Sequence, residues 1–258
     1  MNAEKYAALL REASNNRITI PPIRSEIGVE DIDLAYKIQE INTQLRLDEG
    51  ARIVGKKIGL TSFSVQKQLG VDQPDFGILF HDKEVLNGQS ISIQEILQPK
   101  VEAEIAFVLG EDLDVPDLGI IDLMSCIDYA LPAIEIVGSR ISNWDIKITD
   151  TIADNASASH FVVGHTPKTL DEFDVVDCQM KMHKGEKLVS EGSGASSFGS
   201  PLNATLWLAN KMYEYGQPLQ AGDLILSGAL GAMCEVKAGD HFSVKIEGLG
   251  AVSVSFDE

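Results

Sequence analysis

The 258-residue chain reads as an α+β protein, with a helical N-terminal portion over residues 1–50 and a strand-rich body over 51–258. Three observations carry that expectation. Apolar residues recur at helical spacing over residues 3–14 and again over about 30–47. From about residue 85 the pattern changes to short segments broken by turns such as "LNGQ", "HKGE" and "KAGD". The strands are therefore clustered instead of alternating regularly with helices, which separates α+β from α/β. No repeat, low-complexity tract or linker divides the chain, so one domain spanning 1–258 is expected.

The elements follow in order. The opening "MNAEKYAALLREASNN" is a polar amphipathic helix pattern and lacks the basic-then-apolar layout of a secretion signal. In "EDIDLAYKIQEINTQLRL", Glu30 and Asp31 sit near the start of the second helix, where negative charge meets the positive end of the helix dipole. "RIVGKKIGLTS" predicts a strand ending in a glycine-containing turn, followed by a short helix "FSVQKQLG" that Gly70 stops. "KVEAEIAF" alternates with period two and predicts a strand, and "YALPAIEIVGSRI" is a second apolar, strand-like run. "PLNATLWLANKMYEYG" predicts one more helix, with Pro201 near its start and Gly216 at its end.

Composition removes several function classes. Hydrophobic residues are 44% and charged residues 23%, ordinary for a globular chain. The formal charge of −18 opposes phosphate backbones, and no basic cluster offsets it, so no nucleic-acid partner is expected. No apolar run is long enough to span a membrane, and none is expected to. Cys126, Cys178 and Cys234 are odd in number and show no paired or zinc-type spacing, which fits free thiols in a reducing cytoplasm. A small anionic ligand would have to be captured against the chain's own field, by a metal or by a few placed cations.

The stretch "KVEAEIAF" raises that possibility itself. On a strand, Val101, Ala103, Ile105 and Phe107 face one way, and Glu102 and Glu104 face the other with Ala106 and Val108. A half-exposed strand is the common reason for such a pair, yet this face would be only half polar. Glu135 lies between Ile134 and Ile136, where a lone carboxylate is costly to bury. Three carboxylates around one hard cation resolve both problems, and oxygen donors with no nearby His or Cys favour Mg²⁺ or Mn²⁺ over zinc. Arg140, five residues beyond Glu135, is placed either to grip a substrate carboxylate bidentately or to neutralise surplus acid around the metal. The five histidines (81, 160, 165, 183, 241) show no ligand spacing, and no Ser-His-Asp arrangement is legible.

Several stretches together carry a resemblance: "GKKIGLTS", "DQPDFG", "PKVEAEIAFVL", "LPAIEIVGSRI", "TIADNAS", "GSPLNATLWLAN" and "LSGAL". From about residue 30 to its end the chain resembles the 2-hydroxypentadienoate hydratase and 4-oxalocrotonate decarboxylase family, within the fumarylacetoacetate hydrolase superfamily. The resemblance implies a mixed β-roll body and a divalent metal held by Glu102, Glu104 and Glu135. It implies acid–base roles for Lys57 and Asp75, with desolvation expected to lower the Lys57 pKa toward neutrality. Lys56, alternating to the other face, is expected in solvent. By the same resemblance Asn155, Ser157, Ser227 and Gly228 line the substrate pocket.

"KKIGLTS", "QPDFG" and "NWDIKITDTIADNAS" look more like the hydratase branch than the decarboxylase branch. The implied reaction is metal-dependent addition of water to 2-hydroxypenta-2,4-dienoate, in meta-cleavage catabolism of aromatic compounds, by a single catalytic domain. A homo-oligomer is implied, as is association with a decarboxylase or aldolase of the same route. Two alternatives stand beside it: decarboxylation of 4-oxalocrotonate at the same metal site, and a non-catalytic subunit on the same fold.

Overall fold

The computed structural model describes residues 3–69 and 71–258, and its N-terminal portion is helical as the periodicity predicts. Helix α1 (Ala3–Asn16) turns Ala3, Tyr6, Ala7, Leu10 and Ala13 inward at the i, i+3, i+4 spacing of a one-sided helix. A single-turn helix α2 (Arg24–Ile27) leads to α3 (Ile32–Asp48), whose N-cap Asp31 accepts a hydrogen bond from the Leu34 N–H at 3.0 Å. Strand β1 (Ile53–Gly59), helix α4 (Phe63–Leu69) and strand β2 (Asp75–Phe80) follow. The stop expected at Gly70 lies outside the described residues.

The body is two mixed sheets. Strands β3 (Ser90–Ser92), β4 (Lys100–Leu109) and β5 (Ile127–Val137) lead to β6 (Ala158–Val163), then to the hairpin β7 (Gln179–Lys184) and β8 (Lys187–Ser193). After helix α7 (Pro201–Glu214) come β9 (Leu224–Ala229), β10 (Cys234–Glu235), β11 (His241–Ile246) and β12 (Gly250–Asp257). The larger sheet has the order β2-β1-β9-β4-β5-β6, with β10 on the end of β4, and the smaller has β3-β12-β11-β7-β8. β1 lies parallel to β9, and β12 parallel to β3, while the other pairs are antiparallel.

The main core fills the space between the sheets. Ile105, Phe107, Ile134 and Ile136 from the larger sheet meet Phe242, Val244, Val254 and Phe256 from the smaller, and Leu208 and Met212 of α7 join them. A second core joins α1 and α3 to Ile148 and Ile152 of helix α6 (Ile148–Ala153).

Two short helices lie in the body beyond those expected from sequence: α5 (Ile120–Cys126) and α6. The α6 sequence "ITDTIA" is rich in β-branched residues, which are poor helix formers, so composition hides it. Asp150 holds the start of α6, accepting from the Lys147, Ile23 and Arg24 N–H groups and pairing with the Arg24 guanidinium at 2.8 Å. β5 begins just ahead of the "YALPAIEIVGSRI" run, at Ile127, and passes through Pro132. There its pairing with β6 has ended at Ala133, so the missing N–H breaks no ladder bond on that side.

Candidate metal and acid–base centre

Register brings the three glutamates together. β4 pairs antiparallel with β5 so that Glu102 faces Glu135 directly, and Glu104 faces Ala133 one step along the same side. Each of the three offers a carboxylate oxygen within 4.8 Å of the other two. Glu104 and Glu135 are 0% exposed, and Glu102 is half-buried at the accessible side.

A bulge completes the cradle. Between Glu104 and Ala106 the pairing with β9 slips, and β9 carries one extra residue there. The slip aims the Gly228 N–H at Glu104 Oε2, at 2.8 Å. Gly228 holds φ at +97°, and a Cβ on it would fall 2.3 Å from Thr61 Oγ1, so only glycine suits the position.

Lys57, on β1, reaches the cluster from the next strands. Its Nζ lies 3.2 Å from Glu135 Oε1 in an ion-pair contact and donates to the Ala156 carbonyl at 3.0 Å. Burial pushes the ammonium toward losing its proton, but Glu135, Asp75, Glu102 and Glu104 together outweigh burial, so its pKa is raised. The expected lowering is therefore corrected: the surrounding carboxylates hold Lys57 charged. Lys56 is corrected too, since it is 7% exposed and paired with Asp223 at 3.2 Å instead of lying in solvent.

Asp75, the first residue of β2, is 1% exposed, and burial pushes its carboxyl up to about 6 against the pull of Lys57. A Cβ at Gly59 would fall 2.2 Å from Asp75 Oδ1 and 3.3 Å from Lys57 Nζ, so both groups press on that bare Cα. The role of Gly59 was not legible in the sequence, because the glycine of "KKIGLTS" reads equally well as a turn.

The group fits a hard divalent cation. Glu104 Oε1, both Glu135 oxygens and both Asp75 oxygens are buried with no hydrogen-bond partner among the described residues. Burial and then repulsion from Glu135 push the Glu102 carboxyl up to about 7, and the same two causes hold Glu104 well above the usual carboxylate range. Lys57 alone cannot balance four acids, and a dication would relieve both the charge and the orphaned oxygens.

The remaining expected residues serve the surroundings in this structure. Asn155, Ala156 and Ser157 form a turn with φ of +55°, +49° and +58°, a run of left-handed backbone that non-glycine residues adopt only when held. The Asn155 side chain holds it, accepting from the Ile78 N–H at 2.7 Å and donating to the Ile78 carbonyl at 3.0 Å. That turn presents the Ala156 carbonyl to Lys57. Ser157 is buried with its hydroxyl 3.4 Å from that of Thr151, and the Ser227 hydroxyl donates to the Ile105 carbonyl at 2.6 Å. Arg140 pairs with buried Asp154 and donates to its carbonyl, so its ion-pair partner is none of the three glutamates.

Helix α3 braces this arrangement from behind, a support that no local residue pattern announces. Buried Gln39 donates to the Phe76 and Ile152 carbonyls, both at 3.0 Å, tying β2 to α6. Tyr36 stacks on Phe76 with ring centroids 4.4 Å apart and accepts from the Phe76 N–H.

Comparison with known proteins gives the family and its relatives. Residues 56–256 match the family described as fumarylacetoacetate (FAA) hydrolase C-terminal. The TodF product hydratase of Pseudomonas putida F1 is 55% identical over 98% of this chain and 94% of its own. The 2-keto-4-pentenoate hydratase 1 of Dechloromonas aromatica RCB is 52% identical over 99% of this chain and 97% of its own. Among solved structures, the 4-oxalocrotonate decarboxylase of P. putida G7, complexed with magnesium and adipate, superposes with a TM-score of 0.94 at 32% identity over 99% of this chain and 98% of that one.

Proposed function

The chain belongs to the fumarylacetoacetate hydrolase family, and from that footing we propose that it is a metal-dependent hydro-lyase adding water to 2-hydroxypenta-2,4-dienoate to give 4-hydroxy-2-oxopentanoate. The observation that carries the reading is the buried cluster of Glu102, Glu104 and Glu135 beside Lys57 and Asp75. It stands in a chain 52% identical along almost its full length to a 2-keto-4-pentenoate hydratase.

Glu102, Glu104 and Glu135 would hold Mg²⁺ or Mn²⁺, which when bound supplies a Lewis acid for the carboxylate and C2 oxygen of a 2-oxo acid. Lys57 and Asp75 move the protons. Asp75, pushed up to about 6, takes and returns a proton near neutral pH, and the Lys57 ammonium beside it is a donor held in place by the Ala156 carbonyl. First the C2 hydroxyl loses its proton and C5 gains one, so the dienol becomes a 2-oxo acid with a C3–C4 double bond. Then the oxygen of water bonds to C4, the water gives up a proton, and C3 gains one. One water is consumed and the proton count balances.

The same residues would serve a decarboxylase acting on 4-oxalocrotonate, because both reactions need an electron-accepting 2-oxo group. The identity of 32% to the solved decarboxylase, against 55% and 52% to the hydratases, favours hydration. A non-catalytic subunit is disfavoured by the intact set of three glutamates, Lys57 and Asp75. The reading extends to one catalytic domain acting in the cytoplasm as a homo-oligomer, alongside a decarboxylase or aldolase of meta-cleavage catabolism. The free thiols fit that compartment, and exposed Ile121 and Met124 on α5 offer a subunit contact.

The test is to give the purified protein each substrate with Mg²⁺. Loss of the dienoate chromophore with formation of 4-hydroxy-2-oxopentanoate, and no CO₂ from 4-oxalocrotonate, is the expected result. CO₂ release without hydration overturns the reading.

A further inference from the structure

A cavity of about 380 Å³ lies away from the glutamate cluster. It lies between α1 and α3 on one side and β2, residues 95–97 and the 153–159 segment on the other. Its volume is within the range of roughly 300–1,000 Å³ usual for small-molecule sites. Its charge is opposite to that of the molecule. In a chain with 39 acidic and 21 basic residues, Arg11, Arg17, Arg46, Lys83 and Arg140 all line it. Only Glu49, Glu95 and Asp154 oppose them there.

Two of the five cations are already satisfied, Arg140 by Asp154 and Arg46 by Asp82 at 2.6 Å. The others have no carboxylate partner. Arg11 donates to the Asn42 amide oxygen at 2.9 Å, Arg17 donates to the Gln94 carbonyl, and Lys83 makes no hydrogen bond or ion pair with any described residue. Two neighbours register the crowding. Burial lowers the Lys83 pKa, and Arg46 and Arg17 lower it further against the pull of Asp82 and Glu95. Buried His160 is driven down to about 3 by desolvation and then by Lys83, with Arg17 and Arg46 adding to it against Asp82. Arg11, Arg17 and Lys83 thus line one space that also offers Asn15, Asn42, Thr43 and Ser159 as neutral hydrogen-bonding groups.

We propose that this cavity is a second ligand site, separate from the glutamate cluster, that binds a small dianion such as inorganic phosphate or a short dicarboxylate through Arg11, Arg17 and Lys83. Such an anion supplies the counter-charge these three lack, by charge-assisted contacts in a partly desolvated setting. The wall it shares with the candidate centre is β2 and the 153–157 turn: Ile78 and Asn155 line the cavity, while Asp75 and the Ala156 carbonyl face Lys57. The proposal does not rest on the reaction assigned above, since it needs only the cavity and its charges.

Isothermal titration calorimetry of the full-length protein tests it, with inorganic phosphate and succinate titrated separately into the wild type, Lys83→Gln, Arg17→Gln/Lys83→Gln and Glu135→Gln. Saturable binding of at least one anion is expected, at one per chain, about tenfold or more weaker in each cavity variant and unchanged in Glu135→Gln. Preference for phosphate or for succinate distinguishes the two chemistries. Lys83→Gln breaks no hydrogen bond or ion pair among the described residues, so it reports on the site even where the double variant folds poorly. No saturable binding of either anion, binding unaffected by Lys83→Gln, or binding lost in Glu135→Gln overturns the proposal.

Discussion

Glu135 stands opposite Glu102 and 3.2 Å from Lys57, so it couples the metal cluster to the proton-transfer pair. Glu135→Gln keeps the volume and removes the charge. It should weaken Mg²⁺ binding by more than the roughly 10–100-fold that loss of an outer-shell partner costs, as calorimetry will show. Lys57→Ala should behave differently. Removing a buried ammonium leaves the three carboxylates freer for the ion, so Mg²⁺ binding persists while turnover falls by about 10²–10⁴, the range for loss of a positioned acid–base group. Equal turnover in the variant would remove Lys57 from the chemistry. Gly59→Ala tests Asp75 without touching it: the new methyl would fall 2.2 Å from Oδ1, so kcat should drop with Mg²⁺ affinity unchanged.

At the scale of elements, the acid–base pair depends on parts that make no contact with the metal cluster. Gln39→Leu would remove two buried hydrogen bonds, at roughly 0.5–1.5 kcal/mol each, and the thermal midpoint should fall by several degrees. Asn155→Ala would free a left-handed turn from its clamp to Ile78. It should lower kcat along with stability, because the Ala156 carbonyl would drift from Lys57. Glu102 and Glu104 stood out because charged residues with period two in an apolar strand need an explanation, Glu135 because it lies between Ile134 and Ile136, and the family resemblance joined the three. That Glu102 lies opposite Glu135 was not, since cross-strand register joins segments some thirty residues apart and no local pattern encodes it. The Arg140 ambiguity could not be resolved from sequence either, because its partner Asp154 comes from the turn after α6, a helix whose β-branched residues hide it. The bulge at Gly228 and the support from Tyr36 and Gln39 are tertiary facts for the same reason.

Across the whole molecule, folding raises the Asp75 carboxyl to about 6 and Glu102 to about 7, chiefly by burial. At these two carboxyls the folded chain therefore holds more protons than the unfolded chain between about pH 4 and pH 7, and His160, driven from 6.5 down to about 3, offsets part of that below its ordinary value. Stability of the chelator-treated protein should fall as pH rises through that window. A divalent cation takes the place of those protons, so added Mg²⁺ should raise the thermal midpoint more at about pH 7.5 than at about pH 5. At 100 times its dissociation constant a bound ion adds about 2.7 kcal/mol. Differential scanning calorimetry at both pH values, with and without Mg²⁺, measures the sign directly.

The central claim is that Glu102, Glu104 and Glu135 hold a hard dication without which no water is added. Its most direct test follows the 2-hydroxypenta-2,4-dienoate chromophore while Mg²⁺ is titrated into chelator-stripped protein. Turnover should be absent at the start, return saturably with one ion bound per chain, and fail to return in Glu135→Gln. Undiminished turnover in the stripped wild type, or full recovery in Glu135→Gln, would contradict it.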